Sequence, residues 1–230
     1  FVMDSAGGEA KQATDFRNGA SGPVWSPDGD RIACSVSLKP DEDLLEKAEE
    51  KKDDKKLEPF VAVEMKYKSD ATGFWDGKYK QTVIVNLEDG KAELVAEGEV
   101  DYHVQCWSPD GRSLVLSADE SPERDFSFKS DLWLMDIETG NKTKLTNGTG
   151  YFGNAVFSPD GKYLGYTGHE REFENATLNQ LWVRNIETGN IQCVTENMDI
   201  LVGDAVAADF HQGAHSPGLI WGEDSESFYF

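Results

Sequence analysis

Short β-rich runs of mainly apolar residues recur along the chain, and polar turn residues separate them. Three of the clearest are Arg31-Ile32-Ala33-Cys34-Ser35-Val36, Ser113-Leu114-Val115-Leu116-Ser117 and Tyr163-Leu164-Gly165-Tyr166-Thr167. Short apolar runs bounded by turn residues predict β-strands. The pattern of alternating parallel strands and helices that an α/β domain needs is missing, so we expect an all-β fold.

One motif precedes each of these runs. Its three copies are Val24-Trp25-Ser26-Pro27-Asp28-Gly29, Cys106-Trp107-Ser108-Pro109-Asp110-Gly111 and Val156-Phe157-Ser158-Pro159-Asp160-Gly161. Serine, proline and glycine at the first, second and fourth positions suit a type I turn whose glycine adopts positive φ. The motif therefore predicts a hairpin tip. A degenerate fourth copy is Ile220-Trp221-Gly222-Glu223-Asp224-Ser225.

A second turn signal recurs later in each repeat unit. It reads Asn86-Leu87-Glu88-Asp89-Gly90, Asp136-Ile137-Glu138-Thr139-Gly140 and Asn185-Ile186-Glu187-Thr188-Gly189. Glycine in a short loop between two strands supplies the left-handed position of a hairpin. Each unit thus holds four antiparallel strands, and Ser158 follows Ser108 by 50 residues. Four strands per repeat at this period predict a β-propeller built from four-stranded blades.

The repeats predict three complete blades with a half-blade at each end of one domain, residues 1–230. Residues 1–15 match the second half of a unit, and the fourth motif copy with Ser227-Phe228-Tyr229-Phe230 matches the first half. We expect a fragment of a larger propeller of about seven blades. The alternative is a closed four-bladed ring. Open blade edges would promote self-association.

An insertion interrupts the first blade. Ser108 follows Ser26 by 82 residues, and the excess contains the charged stretch 39–58, which has no glycine and almost no β-branched residues. We expect an exposed excursion with a short helix that Asp41 caps, because the apolar stripe ends after Ala48. The functional alternative is a lid or a partner-docking arm.

Composition and charge limit the partners and the compartment. The hydrophobic fraction is 38%, and the formal net charge is -21, which disfavours nucleic acids and acidic lipid surfaces as partners. No run is long enough to span a membrane. Cys34, Cys106 and Cys193 lack metal-ligand spacing, and their place in or beside strands predicts free thiols in a reducing compartment, the cytoplasm.

No catalytic, cofactor-binding or metal site is predicted. His211 and His215, with Asp204 and Asp209 upstream, have zinc-like spacing, but Gly213 favours a loop in which that spacing fixes nothing. His103 and His169 lie next to strand runs, and neither has a nearby Cys or Ser in the sequence context of a nucleophile. Three formal glycosylation acceptors begin at Asn141, Asn147 and Asn175. The aromatic residues of the repeat are interpreted as packing between blades: Trp25, Trp107, Phe157 and Trp221.

The segment after the insertion resembles a known family. It reads Tyr67-Lys68-Ser69-Asp70-Ala71-Thr72-Gly73-Phe74-Trp75-Asp76-Gly77. It is similar to the Tyr-Lys-x-Asp-Gly-x-Gly-Phe stretch in the propeller of acylaminoacyl-peptidases of the prolyl oligopeptidase family, with Ala71 as a departure. The Ser-Pro-Asp-Gly repeats alone resemble those of TolB-like propellers as well.

The resemblance implies a parent serine peptidase that removes N-acylated or other N-terminal residues from short peptides. Its partner in the same chain would be a C-terminal α/β-hydrolase domain with a Ser, Asp and His triad, which these residues do not contain. The propeller would gate peptide access and perform no catalysis itself. The alternative is a stand-alone TolB-like propeller that serves as a protein-binding platform. A third class, an enzyme with its site in the propeller channel, would need more clustered His, Arg or metal ligands than the sequence offers.

Overall fold

Three four-stranded antiparallel sheets follow one another along the chain, as the repeats predict. The structure is a computed structural model that describes residues 1–45, 59–70, 72–203 and 218–230. Blade 1 contains the strands β1 (Ser21–Trp25) and β2 (Arg31–Leu38), then, after a small hairpin of β3 (Lys68–Ser69) and β4 (Gly73–Phe74), the strands β5 (Tyr79–Asn86) and β6 (Ala92–Ala96). Blade 2 consists of β7 (His103–Trp107), β8 (Ser113–Ala118), β9 (Asp131–Asp136) and β10 (Lys142–Lys144). Blade 3 consists of β11 (Tyr151–Phe157), β12 (Tyr163–His169), β13 (Gln180–Asn185) and β14 (Ile191–Cys193).

Shorter pairings flank the three blades. The strands β15 (Ile220–Trp221) and β16 (Phe228–Tyr229) form a two-stranded sheet after blade 3. Val2 and Lys11 form an isolated antiparallel bridge before blade 1. Within the described ranges the helical content is one 3₁₀ turn, Glu174–Ala176. The prediction of an all-β propeller with partial blades at both ends is confirmed.

The helix expected in the insertion does not begin at Asp41. Residues 39–45 form turns and bends, and the carbonyl oxygen of Leu44 accepts the backbone N–H of Arg17 at 3.3 Å. Leu44 also packs on the apolar cluster that contains Phe16 and Leu38. This packing against blade 1 accompanies an irregular backbone, so residues 39–45 are not helical. The rest of the predicted excursion, 46–58, lies outside the described residues.

The serine of each Ser-Pro-Asp-Gly motif organises its turn. In the third copy Ser158 is fully buried, and its Oγ accepts the N–H of Tyr163 at 3.0 Å and donates to Oδ1 of Asp160 at 2.7 Å. Ser26 and Ser108 make the same contacts in their blades. The glycine that ends each motif has the positive φ that the sequence predicts, between 68° and 77°.

The degenerate fourth copy replaces this serine. Gly222 occupies the serine position, and a Cβ there would lie 2.4 Å from Oγ of Ser227. Ser227, at the other end of the turn, donates its hydroxyl to Oδ1 of Asp224 at 3.1 Å. In this copy the hydroxyl that bonds the aspartate therefore comes from the end of the turn and not from its start. Ser225 takes the positive φ, 58°, that glycine takes in the other copies.

The core lies between the blades. Alternate side chains of β8 point to opposite neighbours: Leu114 and Leu116 join a cluster with Ala33 and Ile84 of blade 1, whereas Val115 joins one with blade 3. All three β8 residues are fully buried. Alternation along a central strand therefore supplies both interfaces of a blade, which is why these strands are apolar on both faces.

The two ends of the blades differ in their connections. We call the end with the Ser-Pro-Asp-Gly turns and the second hairpin turns the turn face. The opposite end is the loop face, formed by the described parts of three loops that join the second and third strands of each blade: 39–78, 119–130 and 170–179.

Candidate substrate cleft

A cleft of about 810 Å³ opens on the loop face, where all three loops meet. Its floor is formed by the starts of β7 and β11 and the ends of β8 and β12. Blades 1, 2 and 3 each contribute lining residues, among them Tyr79, His103 and Tyr151. Because the cleft depends on neighbouring blades, no single repeat of the sequence encodes it.

Bulges in the inner strands place two amide side chains in the cleft. The register shifts between Val104 and Cys106 in β7 and between Gly153 and Val156 in β11. Gln105 lies in the first bulge, and its Nε2 donates to Oγ of Ser117 at 3.0 Å. Asn154 lies in the second bulge.

Asn154 repeats this contact in blade 3. Its Nδ2 donates to Oγ1 of Thr167 at 3.0 Å, and Thr167 occupies the position in β12 that Ser117 occupies in β8. Asn154 has a φ of 50°, an uncommon conformation for a residue other than glycine. The backbone strain is therefore placed at the cleft, where it directs a hydrogen-bonding group to the floor.

Both histidines in the described part of the chain, His103 and His169, line the cleft. Burial, and then the charge of Lys80, lowers the pKa of His103, while burial and Arg171 lower the pKa of His169. Both shifts favour the neutral imidazole, and the His169 ring stacks on Tyr151 with centroids 6.2 Å apart. A neutral imidazole offers one donor and one acceptor to a ligand.

Neither of these histidines is hydrogen-bonded to a hydroxyl or thiol side chain in the described part of the chain. The β-ladder places His103 opposite Ser117, but the hydrogen bond at Oγ of Ser117 comes from Nε2 of Gln105 and not from the imidazole. The three cysteines are free thiols, and burial raises the pKa of Cys34 to about 11 and of Cys106 to about 12. Such thiols are unreactive at neutral pH.

A strap from blade 1 covers one side of the cleft. We define the strap as residues 59–75 without the undescribed residue 71. The carboxylate of Asp125, in the blade 2 loop, accepts the backbone N–H of Met65 at 2.7 Å and of Lys66 at 3.0 Å. Lys66 in turn donates to the carbonyl oxygen of Arg124. These hydrogen bonds hold the pKa of Asp125 below its ordinary value and fasten the strap to the next blade.

The loop of blade 3 reaches the same point. Phe128 of blade 2 lies between two cations: Nζ of Lys66 is 5.5 Å and Cζ of Arg171 is 5.8 Å from its ring centroid. Arg171 also donates to the carbonyl oxygen of Phe128 at 3.2 Å. Phe128 is therefore the point where the loops of all three blades meet.

The segment that carries the family resemblance forms the outer part of the strap. The rings of Phe60 and Phe74 have centroids 4.6 Å apart, and Tyr67 stacks on Phe74 at 6.4 Å. A hollow of about 440 Å³ lies beside these rings. The resemblance motif is thus an exposed aromatic cluster and not part of the blade core.

The other candidate residues fall outside the cleft or outside the described chain. Among the residues that the structure describes, no three His, Cys, Asp or Glu side chains gather as a metal site would require. His211, His215, Asp204 and Asp209 lie outside those residues. The described part of the chain also has no helix long and apolar enough to cross a bilayer.

Sequence reasoning missed the residues that shape the cleft. The bulge residues Gln105 and Asn154 differ in type and differ in distance from the motif that follows them. Asp125 is 60 residues from Met65, and no local pattern connects them. The one signal available was the recurrence of a hydroxyl residue, Ser117 and Thr167, at the same place in two repeats.

Two curated proteins are similar to this chain in sequence. YuxL, an uncharacterized peptidase of Bacillus subtilis (strain 168), is 37% identical over 229 residues, which are 100% of this chain and 35% of that protein. Dipeptidyl-peptidase 5 of Porphyromonas endodontalis is 25% identical over 193 residues, 77% of this chain and 27% of that protein. The chain thus spans about a third of the length of these curated relatives.

A solved structure and a family model complete the comparison. The acylaminoacyl peptidase of Pyrococcus horikoshii superposes with a TM-score of 0.56 at 16% identity, covering 80% of this chain and 26% of that chain, which shows the shared fold. The sequence model of the acylaminoacyl-peptidase N-terminal β-propeller domain matches residues 37–193. This chain therefore belongs to the family of acylaminoacyl-peptidase N-terminal β-propeller domains.

Proposed function

We propose that this chain is the non-catalytic propeller domain of a cytoplasmic serine peptidase. The full-length protein would remove N-acylated or other N-terminal residues from short peptides, with the reaction performed by a C-terminal α/β-hydrolase domain. Two findings support the proposal: the family match, and the fact that the chain covers only 35% of a relative named as a peptidase. The propeller contributes selection of the substrate and no catalytic residue.

The strap that covers one side of the cleft is the observation that supports a gating role. A cleft of about 810 Å³ is of the size that holds a ligand of a few residues. The strap narrows its mouth through the two hydrogen bonds to Asp125. A short extended peptide fits a cleft of this volume, whereas a folded protein is larger than the cleft.

The floor of the cleft offers uncharged hydrogen-bonding groups to a peptide main chain. Gln105, Asn154, His103 and His169 line it, and the lowered pKa of both histidines favours the neutral imidazole. The edge of the cleft carries charge: the cations are Lys66, Arg124 and Lys129, and the four carboxylates, which already accept hydrogen bonds within the chain, are Glu64, Asp101, Asp119 and Asp125. Amide and imidazole groups match the alternating N–H and C=O groups of an extended peptide.

Hydrolysis by the full-length protein tests the proposal. The substrates are acetyl-alanine p-nitroanilide and an unblocked dipeptide p-nitroanilide, each with and without a serine-directed phosphonate. We expect the full-length protein to hydrolyse at least one of them, the phosphonate to abolish the activity, and the isolated chain to be inactive. Activity in the isolated chain, or no phosphonate-sensitive activity in the full-length protein, would contradict the proposal.

A further inference from the structure

The wall of the cleft between blades 2 and 3 carries a cation without a counter-ion. Lys129 lines the cleft and is half-buried, and no hydrogen bond or ion pair joins its Nζ to the described part of the chain. The other cations of the lining are engaged: Lys66 donates to the carbonyl oxygen of Arg124, and the guanidinium of Arg124 interacts with the hydroxyl of Tyr79. The charge of Lys129 is therefore available to a ligand.

Two uncharged hydrogen-bond donors lie on the same wall. The backbone N–H of Arg171 donates to Nδ1 of His169 at 3.3 Å, so in the neutral imidazole the ring proton lies on Nε2. Neither this Nε2–H nor the hydroxyl of Tyr151 has a hydrogen-bond partner among the residues that the structure describes. Both side chains line the cleft, and their rings stack with centroids 6.2 Å apart. The wall thus presents one cation and two neutral donors.

The backbone holds these three residues in place. Ser130, directly after Lys129, forms a parallel bridge with Tyr151 and two backbone hydrogen bonds to the start of β11, at 3.0 and 2.9 Å. Tyr151 in turn lies opposite His169 in the ladder between β11 and β12. A Cβ on Gly150 would lie 2.3 Å from the carbonyl oxygen of His169, so the strands approach closely here. A site held in this way needs little ordering when a ligand binds.

This set of donors suits a carboxylate. The two oxygens of a carboxylate accept hydrogen bonds from an ammonium group and from neutral donors together, and hydrogen bonds between opposite charges are the stronger ones. A ligand cation would instead meet the like charge of Lys129. The carboxylates of the lining already accept hydrogen bonds from other groups of the chain: Glu64, Asp101, Asp119 and Asp125. The rest of the net charge of -21 acts across solvent, where salt screens it beyond about 10 Å.

We infer that Lys129, Tyr151 and His169 form a subsite for a carboxylate group of the peptide in the cleft. The inference deepens the proposed function and rests on it, because it takes a peptide as the ligand. The carboxylate comes from the C-terminus of a short peptide or from an acidic side chain within it. In the first case the peptide ends at the subsite, which favours short substrates over longer ones.

Binding to the full-length protein tests the inference. The protein is treated with diisopropyl fluorophosphate so that no peptide is consumed, and dissociation constants are measured by calorimetry. The ligands are acetyl-Ala-Ala-Ala with a free carboxylate, the same peptide as its C-terminal amide, and acetyl-Ala-Glu-Ala amide. The first two differ only in the terminal charge, and the third carries its carboxylate on a side chain.

Four variants accompany the wild type. Lys129→Met removes the charge and keeps the length of the side chain, whereas Lys129→Arg keeps the charge. Tyr151→Phe removes one neutral donor and keeps the ring. Lys91→Met, on the turn face, is the matched control because it changes the net charge equally far from the cleft.

We expect the wild type to bind at least one of the two carboxylate peptides roughly ten-fold more tightly than the uncharged amide, as one charged hydrogen bond provides. The tighter of the two identifies the source of the carboxylate. The preference should disappear in Lys129→Met, weaken in Tyr151→Phe, and persist in Lys129→Arg and Lys91→Met. Equal binding of all three peptides to the wild type, or a preference that survives in Lys129→Met, would overturn the inference.

The outcome is separable from that of the proposed function. Binding is measured without turnover, so a carboxylate preference that depends on Lys129 in a protein without phosphonate-sensitive hydrolysis would refute the proposed function and leave the subsite standing. Hydrolysis of blocked peptides with no such preference would refute the subsite alone.

Discussion

The indole Nε1–H of Trp107 in blade 2 donates a 3.0 Å hydrogen bond to the carbonyl oxygen of Val24 in blade 1. Trp221 makes the same 3.0 Å bond to the carbonyl oxygen of Val156, two repeats later. The guanidinium of Arg31 covers the Trp107 ring at 4.8 Å. The aromatic position of the motif is therefore a joint between neighbouring blades, as the sequence predicts for this residue.

This joint predicts the effect of Trp107→Phe. The substitution keeps an aromatic ring, as Phe157 does in blade 3, but leaves the bulged β1 carbonyl of Val24 without its donor. We expect the free energy of unfolding of the chain to fall by about 2 kcal/mol, the cost of an unsatisfied buried polar group. Guanidinium denaturation measures it.

Trp25→Phe is the matched control for that experiment. Trp25 occupies the same motif position but is 51% exposed within this chain. Its substitution should change the stability by less than about 0.5 kcal/mol, as at ordinary surface positions. Equal losses at the two tryptophans would show that the hydrogen bond between blades has no special role.

The sequence predicted the features that depend on neighbours along the chain. A serine, a proline and a glycine in fixed order determine one hairpin tip, and Gly29 or Gly161 takes the left-handed conformation that no other residue adopts at low cost. The continuous apolar run Leu114-Val115-Leu116 in β8 likewise predicts a buried strand. These signals are local, so each repeat carries them in full.

Features that depend on contacts between distant segments were not predictable. The helix expected to begin at Asp41 does not form in residues 39–45, where Leu44 packs on blade 1. The strap is positioned by hydrogen bonds to Asp125. Trp25 and Trp107 occupy the same motif position, but Trp107 is buried against blade 1 whereas Trp25 is exposed within this chain. Neither a residue type nor a spacing in the sequence reports such contacts.

The close packing around Gly168 predicts that a side chain at this position destabilises the wall of the cleft. A Cβ on Gly168, which has a φ of 155°, would lie 2.3 Å from the carbonyl oxygen of Tyr151 and 2.4 Å from Cδ1 of Phe152. We expect Gly168→Ala to force β11 and β12 apart and to cost roughly 3 kcal/mol of stability. Thermal unfolding of the purified chain reports the change.

Gly140→Ala is the control, because a Cβ at Gly140 meets nothing within 4 Å although its φ is 70°. Only the conformational cost of a left-handed alanine remains there, about 1 kcal/mol. If both substitutions cost the same, the close approach of the two strands at Tyr151 would not be a constraint on the fold.

The turn motifs predict how stability depends on pH. The hydroxyl of Ser26 and the N–H of Asp30 lower the pKa of Asp28 from 3.8 to about 2, and Lys162 and then Ser158 lower the pKa of Asp160 equally far. A carboxylate whose pKa is lower in the folded chain stabilises it above pH 3.8, and this stability is lost as the pH falls towards 2.

Asp160→Asn should therefore lower the stability at pH 7 and flatten its decline in that acidic range. Urea denaturation at a series of pH values measures both effects. The exposed Glu187→Gln on the same face is the control and should leave the slope unchanged. An unchanged acid slope in Asp160→Asn would show that the turn carboxylates do not govern acid unfolding.

The most direct test of gating removes the hydrogen bonds between Asp125 and the strap. In the full-length protein, kcat/KM is measured for a short chromogenic peptide and for a longer peptide with the same N-terminal residue, in the wild type, in Asp125→Ala and in the nearby control Glu123→Gln. Asp125→Ala removes both acceptors of the Met65 and Lys66 N–H groups. We predict that the ratio of long to short substrate rises severalfold in Asp125→Ala and stays at the wild-type value in Glu123→Gln. A ratio unchanged in Asp125→Ala, in a protein that remains folded and active, would contradict the proposal that the strap limits entry to the cleft.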